Sequence, residues 1–437
     1  MEKRENWASN FGMIMAFAGM AIGIGNCWRF PYLVGQYGGG TFVFVYLLLM
    51  LVIVVPLALI EAGIGKGLQG GCITAWTEIL KNKTGGKVFG GIFAMSYSME
   101  NFFAIVVTGQ ALYYAIMFIT GQTSADTVDI IYDNMIINYK PLLIICVLTT
   151  VAVTGVIILG VIKGIENVCK YFIPLILVIF AIVTLVSFFT VPNITKGYNF
   201  YLAPDWKQLG NFNLWKAALS QALFSIGVGP GCCLTYGSHC KRKDDLVLGM
   251  ITVCMLDISA ALLAGFAIIP TCVAMGIDPQ SGAALLFKVL PAALSNIPGS
   301  AVMGALAMLA VFFAQFTSDI AQMETSVTAF EDGCGIGRKQ ITIIAGVITL
   351  VMVIVCTINR GQFDFWNNLI GNYAFLITAA VGSFFYAYIY GIKKVRTLFI
   401  NEGASIKLGV WFDILIKFIA MPLMLIIMLD SLFPFLG

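Results

Sequence analysis

The sequence predicts an all-α membrane protein of two inverted five-helix repeats, with eleven transmembrane helices of which the first and sixth are discontinuous. Three observations carry this: the composition, the spacing of apolar windows, and two glycine-interrupted segments at matched positions. Of 437 residues, 59% are hydrophobic and 11% charged, against about 25% charged in soluble proteins. The net charge of +3 sits at loop ends and implies no nucleic-acid partner. One histidine, His239, argues against a histidine-based metal site or catalytic triad. Eleven scattered cysteines without C-x-x-C spacing read as buried structural thiols.

Apolar windows of about 18 or more residues mark spans. They fall near 10–36, 41–65, 88–120, 141–162, 165–190, 213–239, 245–275, 299–330, 340–358, 364–392 and 407–433. MEKRENW runs straight into the first, so no cleavable signal is predicted. Lys and Arg concentrate in alternate connections. Lys3 and Arg4, then Lys66, Lys81, Lys83 and Lys87, then Lys163 and Lys170 lie on one side. Lys241 to Lys243, Arg338 and Lys339, and Lys393, Lys394, Arg396 and Lys407 continue that side. The N-terminus is therefore expected to be cytoplasmic and the C-terminus extracytoplasmic. Of the outer connections, 276–298 carries AALLFKVLP between DPQSG and SNIPG, the pattern of a two-helix hairpin over the entrance.

Gly19, Gly23 and Gly25 crowd the middle of the first span, followed by Asn26, Arg29 and Pro31. Gly227, Gly229, Pro230 and Gly231 interrupt the sixth. Glycine costs roughly 1 kcal/mol against alanine in a helix, and interior proline about 3 kcal/mol. A break inside a bilayer must satisfy its freed backbone groups. One glycine-rich helix is equally explained by close packing. Two, five spans apart, fit inverted repeats of about 7–190 and 213–393 in a single domain covering 1–437, with an extra helix at about 407–433. Such repeats point to a transporter with its site at the midplane. No nucleophile–base arrangement or metal-ligand cluster argues for an enzyme; a receptor or channel remains the rival outside transport.

The run Gly23-Ile24-Gly25-Asn26-Cys27-Trp28-Arg29-Phe30-Pro31-Tyr32 with Gly38-Gly39-Gly40 resembles the neurotransmitter:sodium symporter family. So do Ser220-Gln221 through Gly231, Thr235-Tyr236-Gly237-Ser238, Thr317-Ser318 and Asp364-Phe365-Trp366, and the resemblance covers almost the whole chain. It implies sodium-coupled import of an amino acid by alternating access. One sodium site is implied at Ala21, Asn26, Ser225 and Asp257, and a second at Gly19, Ile22, Ala314, Thr317 and Ser318. Hard cations take oxygen ligands. Outside the motif, Asn26 and Ser225 are equally read as interhelical hydrogen-bonding residues, whereas Thr317 and Ser318 read first as bonding their own helix. Asp257 is a mid-span carboxylate, functional by default. Its fixed charge predicts transport without chloride, which animal members bind beside a neutral residue set.

The implied substrate pocket comprises Met20, Ala21, Gly23, Gly25, Glu100, Ala104, Phe224, Ser225, Gly227, Pro230, Ser318 and Gln322. Gly23 leaves room for a substrate carboxylate. Space at Gly227 and Gly229 suggests a large aliphatic or aromatic side chain. The family's span-three tyrosine falls at Ala104, and Glu100 is an unusual acid one turn earlier. Glu100 reads either as a structural acid or as the recognition group for an amine or other cation. Asp319 beside Ser318 is similarly open. Arg29 with Asp364, and Arg4 with Asp332, resemble the outer and inner gates, with His239 in the inner network. Exposed ion pairs are worth about 0–1 kcal/mol, which suits contacts broken every cycle.

Overall fold

The computed structural model describes residues 5–124, 127–276, 285–295 and 299–433, and among these it is helical with no β-strand. The chain enters the bundle through Ser9, whose side chain accepts from the Gly12 amide and caps α1 (Asn10–Ala21). Ile22 takes an extended conformation, φ −78° and ψ 105°, and ends the helix. The chain resumes as α2 (Gly25–Gln36), opening with a π-helical turn and bent 53° from α1.

The bundle continues through α3 (Gly40–Leu68), α4 (Lys83–Ile119), α5 (Lys140–Ile158) and α6 (Val161–Thr190). The sixth crossing is made by α7 (Phe212–Ile226) and α8 (Cys232–Ser238). Gly227 closes α7 in the left-handed region at φ +69°, and Gly229 follows at φ +118°. Then come α9 (Leu246–Ala274), α10 (Ser300–Cys334), α11 (Arg338–Ile358), α12 (Arg360–Ile400) and α13 (Val410–Leu432). Among the described residues nine helices are long and apolar enough to cross a bilayer, and the bent pair α1/α2 makes a tenth. The pair α7/α8 occupies the predicted sixth span.

The two broken crossings lie at the centre. Residues Met15 through Asn26 are buried without interruption, as are Ser225 through Cys240. The peripheral α5 instead exposes Ile144, Leu148 and Val151, the apolar surface a bilayer covers. α10 packs along α4, α1 and α6, bringing its polar stretch from Gln315 to Ser326 against the breaks.

One expectation shifts, and a second falls partly outside the described residues. The tenth crossing runs on to Ile400, so Lys393, Lys394 and Arg396 lie on helix, and Arg396 pairs with Asp413 at 2.8 and 2.9 Å. That ion pair stabilises helix where a basic loop was expected. Of the predicted outer hairpin, residues 277–284 and 296–298 lie outside the described residues. The described part, Leu285–Val289 followed by Leu290–Ser295, is one helical stretch tied by Lys288 to Asp129 and Asp133 at 3.2 and 3.4 Å.

Candidate functional site

Where α1 ends, Asn26 turns inward and its orientation is fixed from both ends. Its Oδ1 accepts from the Gly23 amide at 3.0 Å, and its Nδ2 donates to Asp257 Oδ1 at 2.8 Å and to the Asp257 carbonyl at 3.1 Å. The Ser225 hydroxyl, from the last turn of α7, lies 2.9 Å from both Asp257 oxygens. Tyr46 on α3 donates its hydroxyl to Oδ2 at 3.3 Å. Three elements thus converge on one carboxylate that is wholly shielded from solvent. Ala21, the last residue of α1, borders the same space. The first predicted ligand set is therefore spatially contiguous.

The second set also converges. The Ser318 hydroxyl on α10 lies 3.2 Å from the Ile22 carbonyl, 3.3 Å from that of Met20, and 3.4 Å from those of Gly19 and Ala314. Thr317 donates to the Ala314 carbonyl at 2.9 Å. Carbonyls gather here because extended backbone at Ile22 turns them out of the helical ladder. Both sets are neutral or carboxylate oxygen donors, the chemistry an alkali or alkaline-earth cation prefers.

Between them lies a small cavity of about 20 Å³. The α1/α2 break supplies Met20, Ala21, Gly23, Ile24 and Gly25, and α4 supplies Tyr97 and Glu100. Phe224 and Ser225 come from α7, and Gln315, Ser318 and Gln322 from α10. A methyl on Gly23 would lie 2.6 Å from Ser318 Oγ, so glycine keeps α10 seated against the break.

Three predicted lining residues stand elsewhere. Ala104 does not border the cavity; the tyrosine on this wall is Tyr97. The turn at Met99 and Glu100 breaks the helical register, with Glu100 donating to the Tyr97 carbonyl and Phe102 to the Met99 carbonyl, so Tyr97 and Glu100 both face inward. Gly227 and Pro230 lie behind the wall, and a methyl on Gly227 would meet the Tyr97 hydroxyl at 3.3 Å. Gly229 makes no room for a substrate either: its α-carbon sits against α12, where a methyl would approach Ala379 Cα to 2.4 Å. The geometric ground for a bulky side chain falls away with these two glycines.

The predicted outer gate pair is not made in this conformation. Arg29 donates to Ser220 Oγ at 3.0 Å and to the Ser220 carbonyl at 3.4 Å, and lies 5.1 Å from the Phe224 ring centroid. Asp364, 60% exposed, pairs with Arg360 one turn away at 3.3 Å. Asp364 is satisfied by a partner one turn away on its own helix and Arg29 by Ser220 on α7, so neither charge bridges to the other. Of the inner pair, Arg4 lies outside the described residues, and Asp332 accepts from the Gly71 amide at 2.7 Å.

The end of the bundle near the N-terminus is packed shut. Trp7 is buried, its amide donates to the His239 carbonyl at 3.0 Å, and its indole N–H to the Tyr236 carbonyl at 3.1 Å. Glu5 accepts from the Val161 and Ile162 amides at 2.7 and 3.2 Å. His239 Nε2 lies 3.7 Å from Glu324, which Arg338 grips at 2.7 and 2.9 Å.

Several site residues escaped the sequence reading. Gln221 donates to the Gly25 carbonyl at 2.8 Å, and Gln315 Oε1 accepts from the Ile24 amide at 2.9 Å, so glutamines cap both sides of the first break. Asp319 holds Gln315: its Oδ1 accepts from Gln315 Nε2 at 2.8 Å and its Oδ2 from the Thr108 hydroxyl at 2.7 Å. Glu61 on α3 accepts from the Gly229 and Leu234 amides at 2.8 and 3.4 Å and braces the second break. A mid-span acid was a legible signal for Glu61; nothing in the sequence distinguished Tyr46 from other span tyrosines.

Broken helices, convergent oxygen donors and a central cavity define a multi-pass membrane transporter. The chain belongs to the sodium:neurotransmitter symporter family, whose family model matches residues 4–134 and 136–436. It is 29% identical to an uncharacterised sodium-dependent transporter of Methanocaldococcus jannaschii, covering 94% of this chain and 87% of that one. An uncharacterised sodium-dependent transporter of Haemophilus influenzae is 28% identical, with 99% of both chains covered. The fold matches the crystal structure of MhsT in complex with L-phenylalanine at a TM-score of 0.88 and 28% identity, over 98% of this chain and all of that one. The protein is thus a sodium-dependent symporter of this family.

Proposed function

We propose that the protein imports an α-amino acid across the cell membrane by alternating access, driven by two sodium ions and without chloride. One ion is held by Ala21, Asn26, Ser225 and Asp257, the other by Gly19, Ile22, Ala314, Thr317 and Ser318. The observation that carries the reading is the Asn26–Ser225–Asp257 cluster bordering the cavity at the helix break. The substrate carboxylate lies against the backbone at Gly23 to Gly25, beside the first ion, and its ammonium group faces the freed carbonyls after Phe224. Substrate and ion then strengthen each other's binding reciprocally. Inward sodium flow supplies roughly 2.3 kcal/mol per charge per 100 mV. Asp257 provides the charge that a bound anion would otherwise supply.

In this reading the N-terminus is cytoplasmic, and the segment around Trp7 is the inner seal. The repeats 7–190 and 213–393 move against each other around the site. The test is uptake into sodium-gradient proteoliposomes: Asn26→Ala abolishes sodium-stimulated amino-acid uptake, and unchanged uptake overturns the assignment.

A further inference from the structure

The wall of the cavity formed by α4 and α10 holds more hydrogen-bond acceptors than donors. Glu100 is buried and makes no ion pair among the described residues; its Oε2 has no hydrogen-bond partner. Gln322, buried on the facing helix, has an unpartnered Oε1. Next to Glu100, Asn101 donates its Nδ2 to the Asp319 carbonyl at 3.0 Å. Because that partner can only accept, the amide orientation is fixed, and Asn101 Oδ1 is also left without a donor. The two helices are fastened here: Ser98 donates to the Gln322 carbonyl at 2.6 Å. Asp319, the neighbouring acid, is different, since both its oxygens are engaged by Thr108 and Gln315.

The Arg29 guanidinium acts on Glu100 only from beyond ion-pair distance, so the buried carboxylate has no cation in contact, which is unfavourable, and each orphaned acceptor adds a desolvation cost. A ligand rich in N–H donors and carrying positive charge relieves Glu100 and Gln322, which both border the cavity, together. We infer that Glu100 and Gln322 form a side-chain subsite that selects an amino acid with a cationic side chain, a basic amino acid of the lysine or ornithine type. This rests on the amino-acid reading above and sets its substrate class. Glu100 supplies the countercharge, and Gln322 accepts a further N–H. The polar wall correspondingly disfavours the aromatic and large aliphatic side chains that the sequence suggested.

The experiment compares lysine with norleucine, which keeps the chain length and lacks the terminal ammonium, in sodium-driven uptake into proteoliposomes. Wild-type protein takes up lysine with at least tenfold higher affinity. Glu100→Gln lowers the lysine-to-norleucine affinity ratio at least tenfold, and Gln322→Leu lowers it severalfold. Norleucine transported as well as lysine by wild-type protein overturns the inference while leaving sodium-coupled amino-acid transport standing. Sodium-driven uptake of no amino acid overturns both.

Discussion

Asn26 and Asp257 are locked together at 2.8 Å across the first helix break, and the same asparagine reaches back to the Gly23 amide at 3.0 Å. This pair joins the backbone discontinuity to a carboxylate on a different helix. Any cation seated there senses both the fixed charge and the local chain conformation. Asp257→Asn keeps the shape and removes the charge, so the sodium concentration for half-maximal uptake rises at least tenfold. A charged hydrogen bond is worth about 1.5–3 kcal/mol. Tyr46→Phe, which deletes one 3.3 Å contact to the same group, has a smaller effect of a few-fold. In wild-type protein, replacing chloride by gluconate leaves uptake unchanged.

The second oxygen cluster is tested at Thr317, whose hydroxyl lies with the Ala314 carbonyl and away from the cavity lining. Thr317→Val is nearly isosteric and removes one oxygen. Sodium affinity measured at saturating substrate falls about tenfold, as expected for loss of a ligand worth about 1–1.5 kcal/mol. Substrate affinity at saturating sodium changes little by comparison.

The glycines of the two breaks separate by purpose. Gly23→Ala places a methyl 2.6 Å from Ser318 Oγ and 3.0 Å from Gln315 Oε1. These are side-chain atoms that can shift, so the protein folds, with uptake reduced at least tenfold. Gly229→Ala puts a β-carbon at φ +118° against the Ala379 backbone at 2.4 Å, and neither can yield. Fluorescence-detected thermal unfolding shows this variant destabilised by about 1–3 kcal/mol or failing to fold.

Trp7 plugs the bundle end where Cys240 lies buried. Trp7→Ala removes the indole bond to Tyr236 and the ring packing on His239. Alkylation of Cys240, followed by mass spectrometry, accelerates at least tenfold over wild type. An unchanged rate would show that Trp7 does not seal this end.

Much of the fold was legible in the sequence. Apolar windows are long, one-dimensional signals dictated by bilayer thickness, and the glycine and proline clusters announce broken helices because they are costly anywhere else. The two oxygen sets were legible through motif resemblance, and the structure brings each together. The acids were half legible: Asp257 and Asp319 stood out mid-span, but only packing separates them. Asp257 meets the Asn26 break directly, whereas Asp319 is occupied in holding Gln315 and Thr108.

By itself, then, the sequence determined most of the crossings and the positions of the two breaks, because each follows from local composition and backbone cost, while the oxygen chemistry expected at the breaks came from the motif resemblance. Only the tertiary structure decided which side chains face the cavity, that Gly229 serves helix packing against Ala379, that Tyr97 and not Ala104 lines the wall, and that Arg29 rests on Ser220. These depend on helix rotation and register. A turn such as that at Met99 and Glu100 redirects every following side chain without leaving a mark in the pattern of hydrophobicity.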